Sequence, residues 1–230
     1  MSCQQCCGIA EQFNDKTGRK QLKRFRRRGP DKTTQLLIDE LRRAILATGV
    51  QDLTLLDIGA GVGAIHHALL NGVVSQATHI DASPGQLAAA REETQRRGHS
   101  GAVRFLEGDF TALADQVAAV DIVTLDRVIC CFDDMEQLVR LSASKAERFY
   151  AAVYPRDVHW MHIGIAVINL VQRVKRSSFR VFLHDPRRIA ALLRSEGLEP
   201  WSERRTAGWH AVVYRRQTRP SQVSTAVIAT

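Results

Sequence analysis

Long apolar runs are missing from this sequence, and so are the other features that would tie it to a membrane or a secretory route. No stretch of about 18 consecutive apolar residues occurs, so we expect no membrane-spanning helix. The opening residues lack a basic segment followed by an apolar one, so we expect no secretory signal. Cysteine is scarce and odd in number, with five residues that include the neighbouring pairs Cys6-Cys7 and Cys130-Cys131. This argues against a disulfide scaffold and predicts a reducing, cytoplasmic environment.

The net charge of +8 is distributed unevenly along the chain. Residues 1–32 contain nine Lys or Arg and three acids, residues 33–172 contain eleven and seventeen, and residues 173–230 contain twelve and four. An acidic centre therefore lies between two basic flanks. These flanks could attract nucleic acid, a carboxylate-bearing small molecule or a membrane surface, or they could be an ordinary solvated face.

Between residues 33 and 216, apolar strand-like runs alternate with helical patterns. Such alternation predicts βαβ units around a parallel sheet that is covered on both faces. Thr34 and Ser83 are candidate helix N-caps, and two strands around Ala207-Gly208 predict a closing antiparallel hairpin.

The remaining segments are predicted to be appendages of this domain. We expect a flexible, cysteine-containing leader at 1–12 and a basic N-terminal cap up to 32, interrupted at Gly29-Pro30. We also expect a lid-like insertion around 157–178, a short strand in the run FRVFLHD at 179–185, and a disordered tail at 217–230.

The segment LLDIGAGVG contains the most informative motif, because its glycines follow a strand and precede a helix. Such a loop lets a ligand approach the backbone closely, and Gly59, Gly61 and Ala64 also fit a dinucleotide pattern. Asp57 lies two residues before the first glycine, where its carboxylate would repel a pyrophosphate. A phosphate-free cationic ligand such as S-adenosylmethionine is favoured instead.

Acidic residues also follow the next three strands. Asp81 is placed to accept hydrogen bonds from ribose hydroxyls. Gly108, Asp109 and Phe110 could bind adenine, and Asp126-Arg127 ends the fourth strand. Turn formation alone is the alternative for each of them.

The succession LLDIGAGVG, HIDAS, LEGDF and VDIVTLDRV resembles the class I S-adenosylmethionine-dependent methyltransferases over residues 35–216. The resemblance implies an α/β fold with a Rossmann-like, seven-stranded, mostly parallel sheet, an antiparallel last strand and helices on both faces. It implies S-adenosylmethionine as cofactor and S-adenosylhomocysteine as product. The runs LDRVICCFDD, YPR and FRVFLHD are similar to a bacterial subgroup near the magnesium-protoporphyrin O-methyltransferases and quinone-pathway methyltransferases.

Position by position, the resemblance assigns the methionyl part to the glycine loop, the ribose to Asp81, the adenine to Asp109 and the methionyl end to Asp126. The full set of predicted cofactor-binding residues is Asp57, Gly59, Ala60, Gly61, Gly63, Asp81, Ala82, Ser83, Gly108, Asp109, Phe110, Asp126 and Arg127.

We expect a small-molecule methyltransferase that methylates oxygen by in-line displacement. A base is needed only if the acceptor is protonated, and His184 and His210 are the candidates. Predicted substrate contacts are Arg28, Cys130, His159 and Trp160, while Arg26 or Arg27 could also meet a carboxylate.

Three alternatives stay open at this point. The basic N-terminal segment could grip RNA, the fold could bind S-adenosylmethionine without catalysis, or the chain could be an NAD-dependent oxidoreductase, which Asp57 disfavours. Cys3, Cys6 and Cys7 lack an evident fourth ligand, so we expect no metal site there.

Overall fold

One sheet organises the molecule, and its strand order in this computed structural model, which describes residues 3–217, is β3-β2-β1-β4-β5-β7-β6. The strands are β1 (Leu53–Ile58), β2 (Val74–Asp81), β3 (Val103–Glu107), β4 (Val120–Asp126), β5 (Ala146–Pro155), β6 (Leu198–Arg205) and β7 (Trp209–Arg216). The helices are α1 (Cys3–Gln12), α2 (Asp15–Arg28), α3 (Lys32–Leu46), α4 (Ala64–Leu69), α5 (Pro84–Arg96), α6 (Phe110–Leu113), α7 (Met135–Ser144), α8 (His159–Val174) and α9 (Pro186–Ser195).

Strand pairing brings the carboxyl ends of β1 to β5 to the same edge of the sheet. The strand β1 pairs in parallel with β2 and β4, and β3 and β5 extend the parallel part on either side. The strand β7 is antiparallel to both β5 and β6. The predicted fold class and the predicted closing hairpin are confirmed.

The core lies on both faces of the sheet, as the period of two along β1 requires. Leu55 belongs to the apolar cluster beneath α3, whereas Leu56 belongs to the cluster on the opposite face with Tyr150. Each of these side chains is at most 1% exposed. Burial on both sides explains why β1 and β4 are mostly apolar.

The N-terminal region differs from its prediction as a flexible leader, because Cys3–Gln12 forms the helix α1. A Cβ at Gly8 would lie 2.3 Å from the backbone nitrogen of Phe179, so the absence of a side chain permits the close approach of α1. Thr34 is not the N-cap of α3. Asp31 takes that position, and its carboxylate accepts the backbone N–H groups of Thr33 and Thr34.

The segment 179–185 is not a strand, contrary to its prediction. Its backbone is held by single contacts instead: the N–H of Phe182 donates to the carbonyl of Cys130, and the N–H of Val181 donates to Asn169 Oδ1. Residues 218–230, the greater part of the predicted disordered tail, lie outside the described residues. None of the helices within residues 3–217 is long and apolar enough to cross a membrane.

Four histidines cluster behind the glycine loop. The ring centroid of His66 lies 4.3 Å from that of His67 and 5.2 Å from that of His79, and the rings of His67 and His99 also meet. Neither ring nitrogen of His79 has a hydrogen-bond partner in the described part of the chain. Burial lowers the pKa of His79 well below its usual value and lowers the pKa of His67 to about 2.

These depressed pKa values predict a loss of stability in acid. An unfolded chain protonates histidine at about pH 6.5, whereas the buried rings stay neutral, so the stability present at neutral pH declines as the pH falls below that value. The carboxyl of Asp81, whose pKa burial raises to about 6, opposes part of this decline between about pH 6 and 4.

The substitution His79→Phe removes two unpaired polar atoms and keeps an aromatic ring against Phe105. We expect a free energy of unfolding at pH 7 that is unchanged or about 1 kcal/mol higher. The decline from pH 7 to 5 should be smaller by at most about 1.4 kcal/mol per pH unit. Urea denaturation at several pH values measures both, with the exposed His159→Asn as control. An unchanged pH profile in His79→Phe would contradict the assignment.

Candidate functional site

A cavity of about 370 Å³ opens at the carboxyl edge of the sheet. Its floor consists of the residues that follow β1, β2, β3 and β4, and its roof consists of residues from α1, α2 and the α2–α3 connection. Eleven predicted cofactor residues line it: Asp57, Gly59, Ala60, Gly61, Asp81, Ala82, Gly108, Asp109, Phe110, Asp126 and Arg127. The cavity therefore collects four separate strand ends at one place.

Three glycines of the loop after β1 have positive φ, and two of them, Gly59 and Gly61, have different surroundings. Gly59 has φ of 59°, and a Cβ there would meet Val128 Cγ2 at 2.5 Å, so its glycine is required by protein packing. Gly61 has φ of 56°, and the nearest atom to a Cβ there would be Gln86 Oε1 at 3.7 Å. A side chain at residue 61 would thus project into open space in the cavity, which leaves room for a ligand against the backbone.

Asp57 lies on the cavity floor but is almost fully buried. The Thr124 hydroxyl donates to its Oδ1 at 2.7 Å, and His66 Nδ1 lies 3.0 Å from its Oδ2. Both carboxylate oxygens therefore have protein partners. Asp57 fixes the end of β1 against β4 and α4, and it contributes negative charge beneath the ligand space.

Asp81 joins the glycine loop to the start of α5. Its Oδ2 accepts the backbone N–H of Gly61 at 2.9 Å, and its Oδ1 accepts the backbone N–H of Ser83 at 2.8 Å. Burial raises its pKa to about 6 despite these two donors. The carboxylate is thus mostly ionised at neutral pH and can accept further hydrogen bonds from ligand hydroxyls.

Asp109 and Phe110 form the cavity wall beyond β3. Asp109 is the N-cap of α6, with its carboxylate accepting the backbone N–H of Thr111 at 2.9 Å. Phe110 is 1% exposed and presents an aromatic ring to the same space. A carboxylate that accepts hydrogen bonds, placed beside an aromatic ring, suits a ligand with a heteroaromatic amine.

At the end of β4, Arg127 is held between two carboxylates. Its Nη1 lies 2.6 Å from Asp31 Oδ2, and its Nη2 lies 3.0 Å from Asp126 Oδ2. The Thr34 hydroxyl donates to Asp126 at 2.6 Å and accepts from Arg127 at 2.9 Å. Burial raises the pKa of Asp126 even beside the guanidinium. At Asp31, burial is outweighed by Arg127 together with the backbone N–H groups of Thr34 and Thr33, so the pKa of Asp31 is lowered.

The helix α2 packs directly on α5 through glycine. A Cβ at Gly18 would lie 2.3 Å from the Gly85 carbonyl oxygen, and Leu22 and Phe25 cluster with Ala89. Further along, Arg26 Nε lies 2.8 Å from Glu93 Oε2. Burial alone would raise the pKa of Glu93, but hydrogen bonds from Arg96, Arg26 and Arg97 hold it far below its usual value.

Through this packing the N-terminal helices supply the roof of the cavity. Its roof residues are Ile9, Phe13, Gln21, Arg24, Phe25, Gly29, Pro30, Asp31 and Thr34. The sequence analysis missed them as site residues, apart from the expectation that a basic cap covers the cleft. Arg24 rather than Arg26, Arg27 or Arg28 is the arginine of α2 that lines the cavity. Arg26 pairs with Glu92 and Glu93 instead.

Several predicted residues lie elsewhere. Gly63 and Ser83 support the floor without lining it, and Ser83 is the N-cap of α5 as predicted. His184 uses Nε2 to contact the Phe132 carbonyl at 2.8 Å, beside Asp133, and His210 Nδ1 lies 2.6 Å from Glu203 Oε1. Neither histidine lines the cavity, so their prediction as bases loses its geometric support.

The predicted substrate contacts are displaced in the same way. Cys130 is buried and donates to the Arg127 carbonyl, while its neighbour Cys131 lines the cavity. His159 and Trp160 lie exposed on α8 and are not part of the cavity lining. The side chains of Cys3, Cys6 and Cys7 lie outside the described part of the chain, so the prediction for them stays a prediction.

Comparison with known proteins agrees with this arrangement. A family model described as a methyltransferase domain matches residues 56–143. Among curated proteins, none matches the sequence significantly. The predicted resemblance to S-adenosylmethionine-dependent methyltransferases is confirmed.

Many solved structures share the fold. Magnesium protoporphyrin IX methyltransferase from Synechocystis PCC 6803 with bound S-adenosylmethionine has 17% identity and a TM-score of 0.68, covering 94% of this chain and 99% of its own. An O-methyltransferase family protein from Burkholderia thailandensis has 17% identity and a TM-score of 0.66, covering 90% and 61%. A structure of the Haloferax volcanii Trm112 methyltransferase activator in complex with a methyltransferase has 16% identity and a TM-score of 0.67, covering 92% and 98%.

The roof contact predicts a strong effect of one added methyl group. Gly18→Ala places its Cβ against the Gly85 carbonyl, so α2 must move, and we expect a stability loss of about 1–3 kcal/mol despite the gain in helix propensity. Gly164→Ala in α8 is the matched control, because nothing lies within 4 Å of its Cβ. Thermal unfolding measures the difference, and equal melting temperatures of the two variants would refute the close packing of α2.

The raised pKa of Asp81 predicts how ligand binding depends on pH. We expect ribose hydroxyls to donate to the ionised carboxylate. Affinity for S-adenosylhomocysteine should then be constant above about pH 7 and weaken as the pH falls through about 6. Asp81→Asn should lower affinity by roughly 1–3 kcal/mol and flatten this profile. Titration calorimetry between pH 5 and 8 tests both. Unaltered affinity in the variant would exclude Asp81 from the binding site.

Proposed function

We propose that this chain, which has the class I methyltransferase fold and a methyltransferase domain at residues 56–143, transfers the methyl group of S-adenosylmethionine to an oxygen of a small-molecule acceptor. One observation carries the proposal. A single cavity combines a floor of glycine backbone and strand-end acids with a roof of apolar side chains and Arg24. The floor suits the cofactor, and the roof suits an acceptor of limited size.

S-adenosylmethionine fits the residues of the floor. The open side of Gly61 admits a ligand against the backbone, Asp81 can accept from ribose hydroxyls, and Asp109 with Phe110 suits adenine. The cavity lining contains five aspartates and two arginines: Asp31, Asp57, Asp81, Asp109, Asp126, Arg24 and Arg127. This excess of negative charge favours a sulfonium and an ammonium over a pyrophosphate, which supports a methyl donor rather than a dinucleotide.

When bound, S-adenosylmethionine supplies a methyl group activated by its sulfonium. The protein's own task is to align the acceptor with that methyl group and to keep bulk water away. Ile9, Phe13, Phe25, Val128 and Phe132 provide apolar surface around the cavity for this purpose. The roof therefore contributes to catalysis by positioning and by excluding water.

A carboxylate oxygen is the acceptor atom that the cavity suits best. Histidine is absent from the cavity lining among the described residues, and a carboxylate needs no base because it is already nucleophilic at neutral pH. Arg24 forms no ion pair with any described residue, so its guanidinium is available to an anionic acceptor. The similarity to an O-methyltransferase family protein is consistent with this choice.

RNA is a poorer acceptor on these grounds. Gly18, Leu22 and Phe25 bury one face of α2 against the body, and Arg26 is paired with Glu92 and Glu93. The roof formed in this way narrows the approach to the methyl group and favours a small molecule. A measurement of methyl transfer distinguishes an enzyme from a protein that binds S-adenosylmethionine without catalysis.

The matched pair Arg24→Gln and Arg28→Gln tests the acceptor assignment. Both residues lie on α2, but only Arg24 lines the cavity. Using a panel of aliphatic and aromatic carboxylic acids and transfer of a labelled methyl group, we expect Arg24→Gln to raise KM about tenfold, equivalent to the loss of one charge-assisted hydrogen bond of about 1.4 kcal/mol. Arg28→Gln should behave as wild type.

Three results would count against this function. Calorimetry that detects no binding of S-adenosylmethionine would remove the cofactor. Binding without methyl transfer to any carboxylic acid, phenol or amine would favour a non-catalytic protein. Equal kinetic constants for Arg24→Gln and Arg28→Gln would remove Arg24 from acceptor binding while leaving the cofactor site intact.

A further inference from the structure

The helix α8 exposes most of its apolar side chains, although Ile165 is buried, and it buries the polar side chain of Gln172. Ile163 is 67% exposed, Leu170 is 61% exposed and Val174 is 77% exposed. The exposed apolar residues of this helix are Trp160, Ile163, Val167, Ile168, Leu170, Val171 and Val174. Their spacing of three and four residues produces one continuous stripe, which we call the α8 apolar stripe.

The inward face of α8 contains the polar groups that a surface helix normally presents to water. Asn169 donates its side-chain N–H to the Val181 carbonyl at 2.8 Å and accepts the Val181 backbone N–H. Gln172 is buried and donates to Gln12 Oε1 of α1 at 2.9 Å. Apart from Ile165, the inward face thus contacts the body through amides, and the α8 apolar stripe does not contribute to the core of this fold.

Positive charge adjoins the stripe, and negative charge is absent from it. Residues 158–184 contain no Asp or Glu, whereas Arg173, Lys175 and Arg176 lie exposed where the helix ends. None of the three forms an ion pair with a residue that the structure describes. The exposed bases Lys16, Arg19 and Lys20 lie on α2, which follows directly on the α1 helix that contacts α8.

We propose that the α8 apolar stripe and its adjoining cations bind the surface of an anionic lipid bilayer. The apolar side chains would enter the boundary between headgroups and acyl chains, and the cations would meet anionic headgroups. The helix has 16 residues and is too short to span, so it lies in the plane of the interface. Trp160 at its start has the amphipathic ring that this interface favours.

A bilayer explains the pattern better than a protein partner. Seven exposed apolar side chains along one helix form a long surface without a groove. The charges at the carboxyl end of the helix, on Arg173, Lys175 and Arg176, are all positive, and Asp157 before its start is paired with His162. A bilayer supplies both a broad apolar layer and a uniform negative surface. The surface also lies beside the roof of the cavity, since Phe179 contacts Phe13 at a ring distance of 5.9 Å.

Sedimentation of the full chain with lipid vesicles tests the proposal. We expect binding to vesicles of phosphatidylglycerol and phosphatidylcholine that is at least tenfold tighter than binding to phosphatidylcholine alone. Leu170→Glu should reduce binding at least tenfold. Leu46→Glu is the matched control, because Leu46 is 68% exposed at the end of α3 and far along the chain from α8. Both variants replace an exposed leucine, so thermal unfolding should show both folded.

A second arm examines the charges and the competing occupants. The triple substitution Arg173→Gln, Lys175→Gln and Arg176→Gln should abolish the preference for phosphatidylglycerol. Failure of the wild-type chain to sediment with anionic vesicles would overturn the proposal. So would sedimentation velocity showing a dimer that Leu170→Glu dissociates, because a second copy would then cover the stripe. None of these measurements depends on enzyme activity. A negative result would overturn the membrane proposal without bearing on the methyltransferase assignment.

Discussion

The roof of the cavity depends on a contact between two backbones. At Gly18 and Gly85, α2 and α5 approach so closely that a single Cβ on α2 would meet a carbonyl oxygen at 2.3 Å. Around this contact the apolar side chains of α2 and the ion pairs of Glu93 accumulate. Without this contact, the glycines and acidic residues at the carboxyl edge of the sheet would be exposed to solvent. With it, that edge becomes an enclosed space with two different halves.

The two halves divide the chemical tasks of the site. The floor is built from strand ends, which a parallel sheet places together whatever lies in the loops between them. The roof is built from a separate stretch of chain, which precedes β1. In the proposed function, cofactor recognition therefore depends on the fold, whereas acceptor recognition depends on the N-terminal helices. This division explains why the fold and the methyltransferase domain follow from the pattern of strands and helices, whereas the acceptor is inferred from the residues of the roof.

Sequence reasoning succeeded where local pattern determines position. The glycine loop and the acids after β2, β3 and β4 were placed correctly because a strand end is visible as the end of an apolar run. It failed where tertiary packing decides. Nothing local distinguishes Arg24 from Arg28, since residues four apart lie on the same face of a helix. Only the way α2 packs on the body places Arg24 at the cavity. Cys130 was predicted to contact the substrate, but Cys131 lines the cavity instead. A short 3-10 turn at Ile129–Cys131 determines which of the two thiols faces the cavity. Asp31 was missed because its partner, Arg127, lies far away in the sequence.

Arg127 has φ of 61°, a left-handed backbone conformation that a residue with a Cβ adopts at a cost of about 1–2 kcal/mol. Its ion pairs with Asp31 and Asp126 hold the side chain in place and so help to offset that cost. The guanidinium is 37% exposed, which leaves these pairs open to screening by dissolved ions. A change in ionic strength would therefore alter the backbone conformation of Arg127 as well as the strength of its ion pairs. Concentrated salt would weaken the contact between the end of β4 and the N-terminus of α3. The shape of the cavity floor therefore depends on the salt concentration of the surrounding solution.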